Sequence, residues 1–218
     1  MMNKLFAVIG LGRFGMSITE ELNRMGYEVL AMDTDEDKVN IAVDLATHAV
    51  RADAMDEQVL KSLGIRNFDV VIVAIGQNIQ ANILTSIMLK EMGVKTVGAK
   101  AQNHLHGKVL EKVGVDIIVY PERDMGVKMA RSLVSQNIME LIDLSPDYSI
   151  IEFAAPASFS GRSILELDVR RQMGVNILAI KRPGGIIMSP GAEQMINERD
   201  ILVVVGRNDQ LRLLGRLP

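Results

Sequence analysis

Residues 10–15 of the chain are Gly-Leu-Gly-Arg-Phe-Gly, and they directly follow a short apolar run at residues 5–9. Glycines at this spacing, between a predicted strand and a predicted helix, are typical of a dinucleotide-binding loop. Gly10 permits the tight turn, Gly12 lets the backbone approach a pyrophosphate, and Gly15 lets the helix pack closely on the sheet. The free N–H groups at the start of that helix would hold the anion. This stretch therefore predicts an α/β fold with a phosphate-binding turn.

An acidic residue at the end of the second predicted strand narrows the ligand class. Asp33 lies about 20 residues beyond the glycine loop, where an acid accepts hydrogen bonds from ribose hydroxyls and repels a 2′-phosphate. The expected group is adenosine with a free 2′-hydroxyl, so NADP is disfavoured. Arg13 and Phe14 lie inside the loop itself. The guanidinium of Arg13 could reach phosphate oxygens with its bidentate fork, and a solvated loop charge is an equally good interpretation.

Short apolar runs alternate with amphipathic segments as far as about residue 120. The runs lie at residues 5–9, 27–32, 49–51, 68–75, 94–99 and 115–120. Continuous apolar strands predict a parallel sheet that is covered by helices on both faces. A left-handed residue ends a helix at little steric cost, and glycines follow four of the helical segments: Gly26, Gly64, Gly93 and Gly114. We therefore predict a Rossmann-like, doubly wound parallel sheet of six strands.

The pattern changes beyond the sixth run. Residues 122–140 predict one longer crossover helix, which is followed by a turn-rich break. We place the domain boundary at residue 140, so that residues 1–140 form the nucleotide-binding domain and residues 141–218 a smaller α+β domain. Pro183-Gly184-Gly185 between two apolar runs predicts a hairpin in this second domain. A core of that size is marginal, so we expect a second copy to stabilise it and the second domain to serve in ligand binding and dimerisation.

Composition excludes several classes of protein. The chain has 218 residues, a net charge of −3 and no cysteine. Without cysteine there is no disulfide framework, no thiolate nucleophile and no cysteine-ligated zinc site. A sequence pI near 5.7 with mixed charges argues against nucleic-acid binding. The apolar N-terminal run is too short for a signal peptide or a membrane span, so we expect a cytoplasmic location.

Other polar residues were weighed for chemistry at the carboxyl edge of the sheet. Lys100 ends the fifth predicted strand and Glu122 begins the crossover helix, where ligands of such folds bind. Lys100 could contact a phosphate, and Glu122 could hold Mg²⁺ or Ca²⁺ against one, although either could be a solvated charge. His104 and His106 are two apart and do not face each other, so we expect solvent or ligand-rim positions. A nucleophile, a base and an orienting group do not occur together, so we predict no enzymatic activity.

Several segments closely resemble the cytosolic regulatory subunits of bacterial Ktr and Trk potassium uptake systems. They are FAVIGLGRFG at 6–15, EVLAMDTDEDKVN at 28–40, GIRNFDVVIVAIG at 64–76, KAQN at 100–103, PERDMG at 121–126 and VRRQMGVNILAIKR at 169–182. The resemblance spans nearly the whole chain and implies one N-terminal and one C-terminal RCK (KTN) domain. It further implies homodimers that assemble into an octameric ring on the inner face of the cell membrane, docked on a membrane-embedded potassium transporter. In that family ATP favours the active state and ADP the inactive one.

The resemblance also implies which residues bind ligands. The arginine that contacts the terminal phosphates corresponds to Arg13, the ribose acid to Asp33, and the acid that binds a divalent cation between subunits to Glu122. Further nucleotide contacts correspond to Thr34, Asp35, Asp53, Ala54, Ile75, Gly76, Gln77, Lys100, Ala101, Gln102 and His106. Some relatives bind cyclic di-AMP between two C-terminal domains and are switched off by it, and the matching positions are Ile164, Asp168, Arg170, Asn176, Ile177 and Pro190. Met16 and Met173 depart from the family pattern, which has Gly and Tyr there.

An NAD-dependent oxidoreductase is the alternative class, because the glycine loop with Asp33 also accommodates NAD or NADH. The small second domain argues against it. So does the spacing of the three tyrosines, since none is followed four positions later by a lysine. A redox-sensing repressor is a third option, but the first strand begins near residue 5 and leaves no room for an N-terminal DNA-binding domain.

Overall fold

The computed structural model describes residues 4–134 and 138–214. The chain divides into two compact units, and the division falls after Asp124, inside the crossover helix. No helix within the described residues is long and apolar enough to cross a membrane.

The first unit is built on a parallel sheet of six strands. The strands are β1 (Leu5–Ile9), β2 (Glu28–Asp33), β3 (His48–Arg51), β4 (Val70–Val73), β5 (Thr96–Lys100) and β6 (Ile117–Val119), in the order β3-β2-β1-β4-β5-β6. The helices between and after them are α1 (Arg13–Arg24), α2 (Glu36–Ala42), α3 (Glu57–Ser62), α4 (Ile79–Glu91), α5 (His104–Val113) and α6 (Pro121–Val134). The order reverses between β1 and β4, which is where folds of this kind open a ligand crevice. The predicted Rossmann-like fold is confirmed.

Alternate residues of the central strands face two separate cores. Ala7 and Ile9 pack in a core with Leu89 of α4, whereas Val8 packs in a core with Val39 of α2. Both faces of these strands are therefore buried, which is why the strands are continuous apolar runs.

Glycine is required where α1 meets the end of β1. Gly10 has φ +95° and donates its N–H to Met32 O at 2.7 Å, which turns the chain at the end of β1. A Cβ on Gly15 would lie 1.9 Å from Gly10 O. The helix therefore packs against the turn with no room for a methyl group. The predicted helix-ending glycines are also confirmed, since all four have positive φ.

The second unit contains an antiparallel sheet of five strands. The strands are β7 (Ile138–Asp143), β8 (Tyr148–Ala154), β9 (Asn176–Arg182), β10 (Gly185–Met188) and β11 (Ile201–Arg207), in the order β10-β9-β11-β8-β7. The helices are α7 (Ile164–Leu167), α8 (Val169–Met173) and α9 (Asn208–Leu214). Phe153, Ile180 and Leu202 are buried in its core. Gly185 pairs with Arg182, which confirms the predicted hairpin.

The crossover helix is shorter than predicted. We expect a helix over residues 122–140, but α6 ends at Val134 and β7 begins at Ile138, and residues 135–137 of that prediction lie outside the described residues. Apolar residues in a short segment suit a strand as well as a helix, and pairing of β7 with β8 decides for the strand. Ser145 supports the connecting turn, because its hydroxyl accepts the N–H of Tyr148 at 3.1 Å. The domain boundary at residue 140 stays a prediction.

Substitution at Gly15 tests the packing of α1. Gly15→Ala places a methyl group against a backbone carbonyl that cannot move cheaply, so we expect a loss of about 1–3 kcal/mol or more in the free energy of unfolding. Gly12→Ala is the matched control in the same loop. The Cβ at Gly12 meets nothing within 4 Å and φ is −71°, so its cost should stay below about 1 kcal/mol. Urea unfolding of both variants measures the difference, and equal losses would contradict the packing argument.

Candidate functional site

The start of α1 is open toward the carboxyl edge of the sheet. Gly12 is the N-cap residue of α1 and supplies no side-chain cap, and the space around its Cβ position is empty to 4 Å. Backbone N–H groups in the first turn of a helix have no partner within the helix, and the helix dipole favours an anion there. The open position at Gly12 therefore fits a phosphate group.

Asp33 has a structural role in addition to the predicted ribose contact. Its Oδ2 accepts the N–H of Leu11 at 2.6 Å, and its Oδ1 accepts the N–H of Asp35 at 2.9 Å. The carboxylate thus ties the glycine loop to the end of β2. Each carboxylate oxygen has two lone pairs, so both oxygens can still accept a hydrogen bond from a ribose hydroxyl.

The turn that carries Thr34 and Asp35 is held by its neighbours. Asp35 caps α2 by accepting the N–H of Asp37, and hydrogen bonding to Lys38 holds the pKa of Asp35 below its ordinary value. Arg51, at the end of β3, donates from Nε to Thr34 O at 3.2 Å. Arg51 was not predicted from the sequence, since only its place opposite Asp33 in the sheet register reveals it.

Asp53 and Ala54 lie in the loop after β3. The side chain of Asp53 accepts the N–H of Met55 at 2.9 Å and thereby shapes this loop. Ala54 is buried, and its carbonyl accepts the hydroxyl of Thr85 on α4 at 3.4 Å. Both residues therefore stand at the same sheet edge as Asp33.

Charged residues predicted from separate parts of the sequence come together beside α1. Lys100 Nζ lies 2.5 Å from Glu122 Oε1 and 6.0 Å from the ring centre of Phe14. It also lies 3.4 Å from the point that a Cβ on Gly76 would occupy, in the loop after β4. The lysine side chain is 13% exposed and the glutamate 71%. The edge thus gathers a lysine, a glutamate and the open helix start in one place.

The charge state of Glu122 reflects these neighbours. The hydrogen bond from Lys100 holds the pKa of Glu122 below its ordinary value, and the positive charges of Lys100 and Arg13 act in the same direction. Arg13 is exposed. Arg13 begins α1 and Glu122 lies in the first turn of α6, so both stand at the carboxyl edge of the sheet, and the direct contact there is between Lys100 and Glu122.

A metal ion fits this edge only if Glu122 and a bound phosphate hold it together. Within the described residues there is no group of three or more carboxylate or histidine side chains that could hold one. Glu122 supplies a single carboxylate, which already accepts from Lys100. Because Mg²⁺ is commonly bound by one or two carboxylates together with substrate phosphates, Glu122 fits a cation that a phosphate also holds.

The segment Lys100–Gln102 is fixed through its backbone. Lys100 O accepts from Asn82 Nδ2 at 3.2 Å, Ala101 N donates to Val119 O at 2.8 Å, and Gln102 N donates to His106 Nδ1 at 3.2 Å. Asn82 was not predicted from the sequence. The one indication in the sequence is an amide side chain at a position of α4 that the structure shows to be buried.

His106 corrects one expectation. We expect it at the solvent or at a ligand rim, but it is only 3% exposed. Burial lowers the pKa of the imidazole, so the ring is neutral and Nδ1 is free to accept from Gln102. It is the third residue of α5, where a side chain can bond back to the chain before the helix, and the preceding Asn103 caps the same turn. His104, by contrast, is exposed as expected.

The remaining predicted nucleotide contacts, Ile75, Gly76 and Gln77, form the loop between β4 and α4. Ile75 O accepts from Asn82 Nδ2 at 2.8 Å. A surface cavity of about 440 Å³ lies elsewhere, at the amino-terminal edge of the strands, where Leu5, Glu28 and His48 line it. The predicted site and this cavity therefore lie at opposite edges of the sheet.

The second predicted ligand set lies in the second unit. Ile164 begins α7, Asp168 joins α7 to α8, Arg170 is exposed on α8, Asn176 and Ile177 begin β9, and Pro190 follows β10. Backbone bonds bring these elements together, because Ile164 N donates to Gln194 O and Ser189 N donates to Leu178 O. Asp168 has φ +39°, a left-handed conformation that is uncommon for a residue with a side chain.

The fold and the glycine loop define a class of two-domain proteins, in which a Rossmann-like unit with an anion-accepting edge precedes a small α+β unit. Residues 6–121 match the TrkA-N domain family, and residues 148–217 match the TrkA-C domain family. The chain belongs to this family and, within it, to the group of Ktr system potassium uptake proteins, as the identities below show. The resemblance stated from the sequence is confirmed.

Three comparisons illustrate the relationship. Ktr system potassium uptake protein A of Bacillus subtilis (strain 168) is 54% identical over 210 residues, which cover 96% of this chain and 95% of that protein. The protein of the same name from Vibrio alginolyticus is 36% identical over 209 residues, with coverages of 96% and 95%. The solved GsuK channel bound to NAD has a TM-score of 0.54 and 22% identity, and covers 99% of this chain and 38% of its own. At 22% identity, the likeness to this channel shows a shared fold alone.

A pH titration tests the buried state of His106. Its pKa is lower in the folded chain than in the unfolded chain, so its contribution to stability is present above pH 6.5 and is lost as the pH falls below that value. The wild type should lose up to about 1.4 kcal/mol per pH unit in this range relative to His106→Asn, which keeps an acceptor for Gln102 without a titrating ring. Urea unfolding at several pH values between 5.5 and 7.5 gives the difference. Parallel curves for the two proteins would refute the assignment.

Proposed function

We propose that the chain is a nucleotide-sensing regulatory subunit that forms an octameric ring and gates a membrane-embedded potassium transporter from its cytoplasmic side. ATP favours the active state and ADP the inactive state. Membership of the Ktr group supports the link to potassium uptake. The observation that carries the nucleotide part is the cluster of Lys100, Glu122 and Arg13 beside the open start of α1.

The two positive side chains and one carboxylate at this edge suit the discrimination of two ligands that differ in their number of phosphates. ATP and ADP share the adenosine that Asp33 would bind, so discrimination must occur at the terminal phosphates. A further phosphate brings negative charge toward Arg13 and competes with Glu122 for Lys100. A ligand shifts a conformational equilibrium only by its different affinity for the two states, and this competition supplies such a difference.

NAD and NADH share the adenosine diphosphate half, and we propose that they bind more weakly than ADP and ATP and are not turned over. GsuK, which shares the fold, has been solved with NAD. We further propose that cyclic di-AMP inhibits the transporter by binding to the second unit. The proposed contacts are Ile164, Asp168, Arg170, Asn176, Ile177 and Pro190. A two-fold interface would present the exposed Arg170 twice, which suits a ligand with two phosphates.

Arg13→Ala tests the contact with the terminal phosphate. Loss of one charge-assisted hydrogen bond should reduce the preference for ATP over ADP by about tenfold or more. Arg24→Ala is the control, because Arg24 lies at the opposite end of α1 and pairs with Glu21. Isothermal titration with ATP, ADP and NADH measures the affinities. An unchanged ratio of ATP to ADP affinity in Arg13→Ala would remove Arg13 from the site, and preferential binding of NADH would favour the oxidoreductase class.

Glu122→Gln tests the competition for Lys100 and the shared cation. Without the carboxylate, Lys100 is free for phosphate, so ATP should bind in the absence of divalent cations at least as tightly as in the wild type. The gain in affinity on adding Mg²⁺ should be lost. Asp124→Asn is the control on the same helical turn, since Asp124 pairs with Arg123 instead. A Mg²⁺ effect that is equal in Glu122→Gln and the wild type would contradict the cation assignment.

A further inference from the structure

Asn82 is a buried polar residue at the edge of the predicted nucleotide site. It lies in the second turn of α4 and has no exposed surface. Its side-chain Nδ2 donates toward Ile75 O at 2.8 Å, Lys100 O at 3.2 Å and Val73 O at 3.4 Å. One amide group therefore connects the carboxyl end of β4 with the carboxyl end of β5.

The surroundings determine which way the amide points. Three carbonyl oxygens surround Nδ2. In the flipped orientation the amide oxygen Oδ1 would face these three oxygens and could not bond to them. In the orientation that results, Oδ1 is buried and has no hydrogen-bond partner among the described residues. A buried acceptor without a hydrogen bond destabilises the folded state. The fold therefore retains an amide here at a cost, which is common at positions that serve a site.

The carbonyls that Asn82 holds lie where β4 and β5 end and lead into the two segments that carry predicted nucleotide contacts. Ile75 precedes Gly76, and the Cβ position of Gly76 lies 3.4 Å from Lys100 Nζ. On the other side, the backbone next to Lys100 is fixed by Val119 and His106. Backbone pairing of β4 with β5 ends at Val73 and Ala99, and Asn82 extends the connection to the carbonyls of Ile75 and Lys100 beyond it.

We propose that Asn82 is a positioning residue, which fixes the backbone of Lys100 against the loop after β4 and thereby aims the lysine ammonium at the phosphates of a bound nucleotide. The proposal rests on the proposed function, because it requires nucleotide phosphates at this edge. Asn82 itself contacts the backbone and acts through Lys100. Its loss should therefore weaken binding of the phosphates more than binding of the adenosine that Asp33 would hold.

Asn82→Ala separates this role from a general effect on stability. We expect the ratio of ADP affinity to adenosine affinity, measured by isothermal titration, to fall at least fivefold. Ser86→Ala is the matched control: Ser86 is equally buried one turn later on α4, but its hydroxyl bonds only to Asn82 O within the helix. The control should keep the wild-type ratio. A wild-type ratio in Asn82→Ala would overturn the proposal.

The double variant tests whether the effect passes through Lys100. In a Lys100→Met background, Asn82→Ala should not lower the ADP to adenosine ratio further, since residues that act as one unit are not additive. Additive losses would contradict positioning of Lys100 by Asn82.

Hydrogen exchange gives a second readout that does not require nucleotide binding. In Asn82→Ala, or in Asn82→Ser should the alanine variant not fold, amides of residues 75–78 and 100–103 should exchange faster than in Ser86→Ala, with the rest of the first unit unchanged. Unchanged exchange in these loops would overturn the proposal on its own. Wild-type protein that binds neither ADP nor adenosine, with faster exchange in the variant, would instead overturn the proposed function and leave Asn82 as a link between β4 and β5.

Discussion

The close contact between the start of α1 and the turn at Gly10 is the constraint on which the rest of the first unit depends. A Cβ at Gly15 would lie 1.9 Å from Gly10 O, and Gly10 itself has φ +95° with its Cβ position 2.8 Å from Ile75 N, so the helix can approach the sheet only with glycine at both positions. That approach sets the first turn of α1 at the carboxyl edge, where Gly12 leaves its N–H groups accessible. Asp33 then secures the loop through Leu11. A packing requirement in the core thus produces an anion-accepting surface.

The charge of Lys100 is balanced by Glu122 without a ligand. Lys100 is mostly buried, and its ion pair with the exposed Glu122 offsets part of the cost of burying an ammonium group. The pair is nevertheless exchangeable, since phosphate oxygens offer Lys100 the same kind of charge-assisted hydrogen bond as the carboxylate. If nucleotides bind here as proposed, the Lys100 ammonium would already be held in place before the nucleotide arrives, and little side-chain entropy would remain to be lost on binding.

The sequence predicted the first unit well because its signals are local. Continuous apolar strands, helix-ending glycines and the glycine loop each depend on a few neighbouring residues, and the structure confirms them. The end of α6 was missed, because strand β7 is decided by pairing with β8 rather than by its own residues. Asn82 and the burial of His106 were missed for a related reason. Both side chains bond to the backbone of residues 100–102, and nothing in the sequence pattern indicates these contacts, so only the folded arrangement reveals them.

The position of Glu122 links the chemistry of the edge to the architecture of the chain. Glu122 lies in the first turn of α6, two residues before the division between the two units, and its principal partner Lys100 ends β5 of the first unit. Any ligand that draws Lys100 away from Glu122 changes a contact at the base of the helix that leads out of the first unit. A helix transmits a change at its first turn along its length as a rigid element, provided that the element has two arrangements between which the ligand selects. If the chain reads phosphate number as proposed, the Lys100–Glu122 pair is therefore a contact through which a terminal phosphate would bias that selection.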